Sequence, residues 1–96
     1  MTMTIDPEKL EVIHLPEENR FVIRVDGHTA ELTYSLLGST ILFTHTGVPP
    51  ALEGQGIASK LAKAGLEYAR TNGLKIQSIC SFVTRYLQRH PEYQAE

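Results

Sequence analysis

Along this chain the spacing of apolar residues changes period once. Between residues 20 and 48 the apolar side chains fall on alternate positions, the signature of half-buried strands. Arg20 to Val25 sets Phe21, Ile23 and Val25 against Val22 and Arg24, and His28 to Leu37 sets Ala30, Leu32, Tyr34 and Leu36 against Glu31, Thr33 and Ser35. Asp26-Gly27 between them is a hairpin signal, because both central positions of the tight turn want positive φ. Gly38-Ser39 turns the chain again into Thr40 to Val48, where Ile41, Leu42 and Phe43 run together. Such a run suits a central strand with both faces covered. On that strand His45 is expected on the face of Ile41 and Phe43. Upstream, Leu10 to Leu15 predicts a short edge strand closed by Pro16-Glu17-Glu18-Asn19, and the polar residues Met1 to Lys9 are expected to be loosely held.

Pro49-Pro50 ends the apolar strand, since proline donates no ladder bond. From Gly56 the period becomes helical. Ile57, Leu61, Ala64, Gly65 and Tyr68 share a face widened by Ala58, Ala62, Leu66 and Ala69, while Lys60, Lys63, Glu67 and Arg70 point outward. Asn72-Gly73 stops this helix. Leu74 to Ile79 is short and apolar, and its helical crossover from the preceding strand predicts parallel pairing. Ser81 to His90 predicts a second helix with Phe82, Tyr86 and Leu87 turned inward, ended by Pro91. The expected class is therefore α/β with a mixed sheet: an antiparallel meander, a helix, a parallel strand and a C-terminal helix.

Where the period changes, the chain carries Glu53-Gly54-Gln55-Gly56-Ile57-Ala58. The first amides of a helix have no partner within it, and glycines let the backbone come close to a ligand. With the partial positive charge of the helix start, a phosphate or pyrophosphate is the natural occupant. A glycine pair before a helix is by itself a weak signal, and the bland alternative is that Gly54 and Gly56 only shape the turn.

Composition narrows the partners. Ninety-six residues, 42% hydrophobic and 21% charged, make one domain, 1–96, with a single modest core. The net charge of −2 comes with scattered lysines and arginines, so no basic stripe is expected to hold nucleic acid. No apolar run approaches the ~20 residues that cross a bilayer. The N-terminus also lacks a signal peptide's apolar core, so no membrane partner is expected. One cysteine excludes an internal disulfide and suits a reducing, cytoplasmic setting. Four histidines and that cysteine are too dispersed for metal-ligand spacing, and no metal is expected.

Two side chains carry candidate chemistry. Cys80 stands at the junction of the last strand and last helix, where the helix dipole favours a thiolate; its alternative is a small buried hydrophobe. His45, an imidazole in an apolar run, is either a satisfied core histidine or a proton acceptor. Tyr86 on the last helix is read as a packing residue.

The blocks HTGVPPALEGQGIASKL and LKIQSICSFVTRYLQRHPEY together resemble the GNAT superfamily of acetyl-CoA-dependent N-acetyltransferases. They are most similar to its small stand-alone members, which show HT-x-VPP, GxGIAS and CS-[FY]-V…HPEY, and the resemblance runs from Asn19 to Tyr93. It implies a minimal GNAT-like fold and acetyl-CoA as co-substrate. Coenzyme A would bind at Val48, Gly54, Gln55, Gly56, Ile57, Ala58 and Ser59. Val48 ends a strand splayed from its parallel neighbour to admit the pantetheine arm. The resemblance also implies Cys80 beside the thioester as acetyl carrier, His45 as base and Tyr86 as a candidate acid for the leaving thiolate, with an amine acceptor, small or peptidic. Glu53 departs from the pattern, which has Gln or Arg there; its carboxylate should weaken diphosphate binding unless Lys60 or Lys63 pairs with it. The chain is short for enclosing an acceptor, which keeps open a non-catalytic coenzyme A-binding or protein-interaction module, or a small domain with no ligand. A monomer or weak dimer is expected.

Overall fold

A computed structural model describes residues 10–93; the stretch 1–9, expected to be loosely held, lies outside the described residues. The chain runs β1 (Ile13–Leu15), β2 (Arg20–Val25), β3 (His28–Leu37), β4 (Thr40–Gly47), α1 (Ile57–Thr71), β5 (Lys75–Ser78) and α2 (Ser81–Arg89). Single 3-10 turns occupy Pro16–Glu18, Pro50–Leu52 and Pro91–Tyr93. The five strands lie in sequence order, antiparallel throughout except for the parallel pair β4–β5. The architecture is the mixed α/β sheet with helical crossover that the periodicity predicts, although β1 is shorter than Leu10 to Leu15. At the β2–β3 hairpin Asp26 (φ 49°) and Gly27 (φ 80°) both take positive φ, as the tight turn requires.

One sheet face carries the core. Phe21, Ile23, Leu32, Tyr34, Ile41 and Phe43 project from it into a cluster with Ile57, Leu61, Leu66 and Ala69 of α1 and Val83 and Leu87 of α2. Burying these side chains removes on the order of 2 kcal/mol each of apolar exposure. Gly65 lets α1 close onto the sheet: a Cβ there would stand 2.8 Å from Phe43 Cε1 and 2.9 Å from Leu32 Cδ2. Tyr93 fastens the end of the chain to α1, its hydroxyl donating to the Glu67 carboxylate. Burial and that bond push its phenol up to about 12.

The opposite face has no helix packed on it among the described residues, and this overturns the expectation that β4 is covered on both sides. Leu42, on that face, stays partly exposed. Around it the face is mostly polar: Arg20 holds Glu31 (Nη1–Oε1 2.9 Å) and Glu18 (Nη2–Oε1 2.7 Å), and the Thr33 and Thr44 hydroxyls meet at 2.7 Å. Leu36, expected in the core, is 47% exposed because the end of β3 runs past the helices.

The strand that matters most for the site is irregular. Thr33 pairs with His45, but its neighbour Tyr34 pairs with Phe43, so Thr44 is an extra residue in β4. Such a bulge turns two successive side chains to one face and reverses the alternation beyond it.

Candidate functional site

A cleft of about 570 Å3 opens between the end of β4 and the start of α1, lined by Thr46, Gly47, Val48, Leu52, Glu53, Gly54, Gly56, Ile57, Ala58, Ser59 and Phe82. Two local features make it. First, β4 and β5 part company. Their ladder ends where the Ile79 N–H donates to the Phe43 carbonyl at 3.0 Å, while β4 continues to Gly47. The prolines then carry the chain away from the sheet. Second, α1 begins on two glycines that must be glycines. Gly54 (φ 80°) and Gly56 (φ 75°) are left-handed, and Gly56 is the residue that caps the helix. No side chain caps that helix start. Its first amides are therefore left to water or to a ligand, beside partial positive charge. An anionic diphosphate fits this mouth.

Of the residues assigned to coenzyme A from the sequence, Val48, Gly54, Gly56, Ile57, Ala58 and Ser59 border the cleft, and Gln55 does not. Glu53 borders it too, with no ion pair to Lys60 or Lys63. Neither lysine therefore compensates its charge at the rim.

Cys80 is the residue from which α2 springs, 6% exposed and part of the core cluster. Its backbone is clamped by a hydroxyl. Ser78 Oγ accepts from the Cys80 N–H (3.2 Å), donates to the Cys80 carbonyl (2.9 Å) and accepts from Thr84 Oγ1 (3.0 Å). The sulfur points at β4 and meets Thr46 Oγ1 at 3.2 Å. Thr46, a cleft-lining residue, is one that the sequence reading passed over; its place as the second residue of HT-x-VPP was the available signal.

His45 lies elsewhere than expected. The bulge at Thr44 puts it in register with Thr33, on the face opposite Leu32, Phe43 and Thr46. Its side chain is exposed rather than aligned with Ile41 and Phe43. A Cβ on Gly47 would stand 3.1 Å from His45 Nε2 and 3.8 Å from Glu31 Cγ, so the imidazole lies over this cleft-lining glycine. The imidazole and Thr46, the β4 residue that meets the thiol, thus leave the strand on opposite faces, and His45 and Cys80 form no dyad. Tyr86 stacks on His90 with ring centroids 4.2 Å apart, outside the cleft lining. Burial and then the nearby Glu92 and Glu67 carboxylates push its phenol up. The buried stripe of α2 is Val83 and Leu87, which leaves Phe82 for the cleft and Tyr86 for the flank.

Among the described residues no three His, Cys, Asp or Glu side chains gather as a metal site, and no helix is long and apolar enough to cross a membrane.

Known proteins give this geometry a context. The family described as GCN5-related N-acetyl-transferase matches residues 20–96. Protein NATD1 of Gallus gallus is 34% identical over 85% of this chain and 77% of its own length. The Homo sapiens NATD1 is likewise 34% identical, over 85% and 75%. Among solved structures, an NMR structure from Staphylococcus aureus, described as a GCN5-like candidate N-acetyltransferase, superposes with a TM-score of 0.69 at 42% identity. That match covers 88% of this chain and 84% of the other. The chain, with its splayed β4–β5 pair and open helix mouth, belongs to the GCN5-related N-acetyltransferase family as a small GNAT-like protein.

Proposed function

We propose that this protein moves the acetyl group of acetyl-CoA to an amine, small or on a peptide. The observation that carries the reading is the uncapped mouth of α1, opening on a cleft that continues into the gap between β4 and β5. The amides of residues 57 to 59 hold the coenzyme diphosphate, and Gly54 and Gly56 let it approach. Val48 and the unpaired edge of β4 flank the pantetheine arm much as they would an added strand. The coenzyme supplies the acetyl group as a thioester.

The acceptor enters from the opposite sheet face, where no helix of the described residues stands in its way and His45 lies over Gly47. His45 takes the proton of the incoming amine. The amine nitrogen then bonds to the acetyl carbon as the carbon–sulfur bond breaks, and the coenzyme leaves as thiolate or thiol. A second route, acetyl transfer through Cys80, draws support from the contact of its sulfur with cleft-lining Thr46. A cytoplasmic location and a monomer or weak dimer accord with both routes.

Calorimetric titration with acetyl-CoA, followed by acetylation assays on amines and lysine peptides, tests the proposal. Saturable binding and turnover are expected. Binding with no turnover on any acceptor makes this a coenzyme A-binding or interaction module instead, and no binding at millimolar coenzyme ends the reading.

A further inference from the structure

Cys80 is held at two points of different kind. Its backbone is fixed from within its own segment by Ser78 and Thr84, but its sulfur is fixed from another strand, by Thr46. Thr46 reaches this place only because the bulge at Thr44 restores it to the core face, in register with Leu32. Its side chain therefore has two neighbours, the cleft on one side and the thiol on the other. A thiolate can only accept hydrogen bonds, so in the ionised state the hydroxyl must be the donor. A β-branched side chain has few rotamers, which fixes the direction of that hydroxyl.

We infer that Thr46 is the positioning residue of the Cys80 thiol: its hydroxyl holds the buried sulfur directly behind a residue that lines the cleft and fixes the direction in which it points. The inference deepens the Cys80 route and rests on it for its role in transfer. In that route the Cys80 sulfur bonds to the acetyl carbon of acetyl-CoA while the bond from that carbon to the coenzyme sulfur breaks. The proton given up by the thiol goes to the departing coenzyme thiolate. The acceptor amine then bonds to the same carbon, the carbon–Cys80 bond breaks, and the amine's proton returns the sulfur to a thiol. Thr46 is consumed in neither step. It sets where the sulfur points.

The alternative is that the contact merely satisfies a half-buried hydroxyl. Because Cys80 is the only cysteine, alkylation by iodoacetamide reads this one sulfur in the whole protein. Rates are measured across pH for wild type, Thr46→Val and Thr46→Ser, with folding checked by circular dichroism. Thr46→Val should alkylate about tenfold more slowly across the pH range, the loss expected when the hydrogen bond that orients the sulfur is removed. Thr46→Ser should restore the rate. If Thr46→Val does not fold, Thr46→Ala gives the same readout. An unchanged rate in the hydroxyl-deleted variant overturns the inference. Acid-quenched mass spectrometry of wild type turning over acetyl-CoA is read separately. Absence of acetyl-Cys80 there ends the covalent route, while the alkylation profile still decides whether Thr46 holds the thiol.

Discussion

His14 and His45 stand on the same sheet and show how differently its two ends are built. His14, on β1, stacks on Phe21 with centroids 4.2 Å apart and ring planes 9° apart, meets the edge of Tyr68 at 4.5 Å, and bonds Tyr34 through Nε2 at 2.6 Å. Burial pushes its pKa below 6.5. His45, on β4, is exposed over a glycine at the rim of the cleft. At the β1–β3 end the His14 imidazole and the Tyr34 hydroxyl satisfy each other and α1 is pressed onto the strands. At the β4–β5 end the ladder stops early, the helix start is left uncapped, and a charged rim residue has no counterion among the described residues. Stability is concentrated in the first region, and the unsatisfied groups that a ligand could satisfy are concentrated in the second.

The contrast can be broken most severely at Gly65. Gly65→Ala puts a carbon within 3 Å of Phe43 and Leu32 and should lower stability by about 2–3 kcal/mol, read by urea denaturation. The folded fraction should keep its affinity for acetyl-CoA. Gly56→Ala should do the reverse. Its left-handed φ makes a side chain cost roughly 1 kcal/mol of stability, while acetyl-CoA affinity falls about tenfold by titration calorimetry because the helix mouth must shift. If affinity is unchanged, the amides of residues 57 to 59 are not the diphosphate site.

A smaller effect is expected at His14. Its folded pKa lies below 6.5, so the neutral ring is favoured on folding. That stability is full above the unfolded value and is lost as pH falls from about 6.5 through the folded pKa. His14→Phe keeps the stack and removes the Tyr34 bond, at a cost of about 1 kcal/mol near neutrality. The difference between wild type and variant should shrink as the pH is lowered; a difference that does not change with pH assigns the ring no titrating role. Smallest is Glu53→Gln, which removes an unpaired charge at the rim. Acetyl-CoA should bind a few-fold tighter at low ionic strength, with the gain fading as salt screens the rim. No gain at any salt places the Glu53 carboxylate away from the bound diphosphate.

Much of this was legible along the chain because the signals are local. Alternation marks β2 and β3, a residue pair that accepts positive φ marks the hairpin, and the glycines that must turn left-handed stand where the apolar period changes at α1. The cleft-lining residues from Gly54 to Ser59 were named for the same reason, since the chemistry of a helix start depends on a few consecutive residues. The errors share a different cause. Val83, absent from the expected stripe of α2, is buried with Leu87, while Phe82 and Tyr86 pack against the core only partly buried, and the position of α1 and β4 decides that order. Leu36 obeys the alternation of β3, yet whether the helices extend far enough to cover it is not a property of β3.

What the sequence determined by itself is the order of the elements, the handedness of the turns and the place where a helix opens without a cap, because each follows from steric limits on a few neighbouring residues. Tertiary structure decided the face on which each side chain of β4 emerges. A bulge is settled by how one strand registers against another. The extra residue at Thr44 sends His45 to the face opposite the helices and Thr46 to the sulfur, and no run of residues read along β4 alone carries that information.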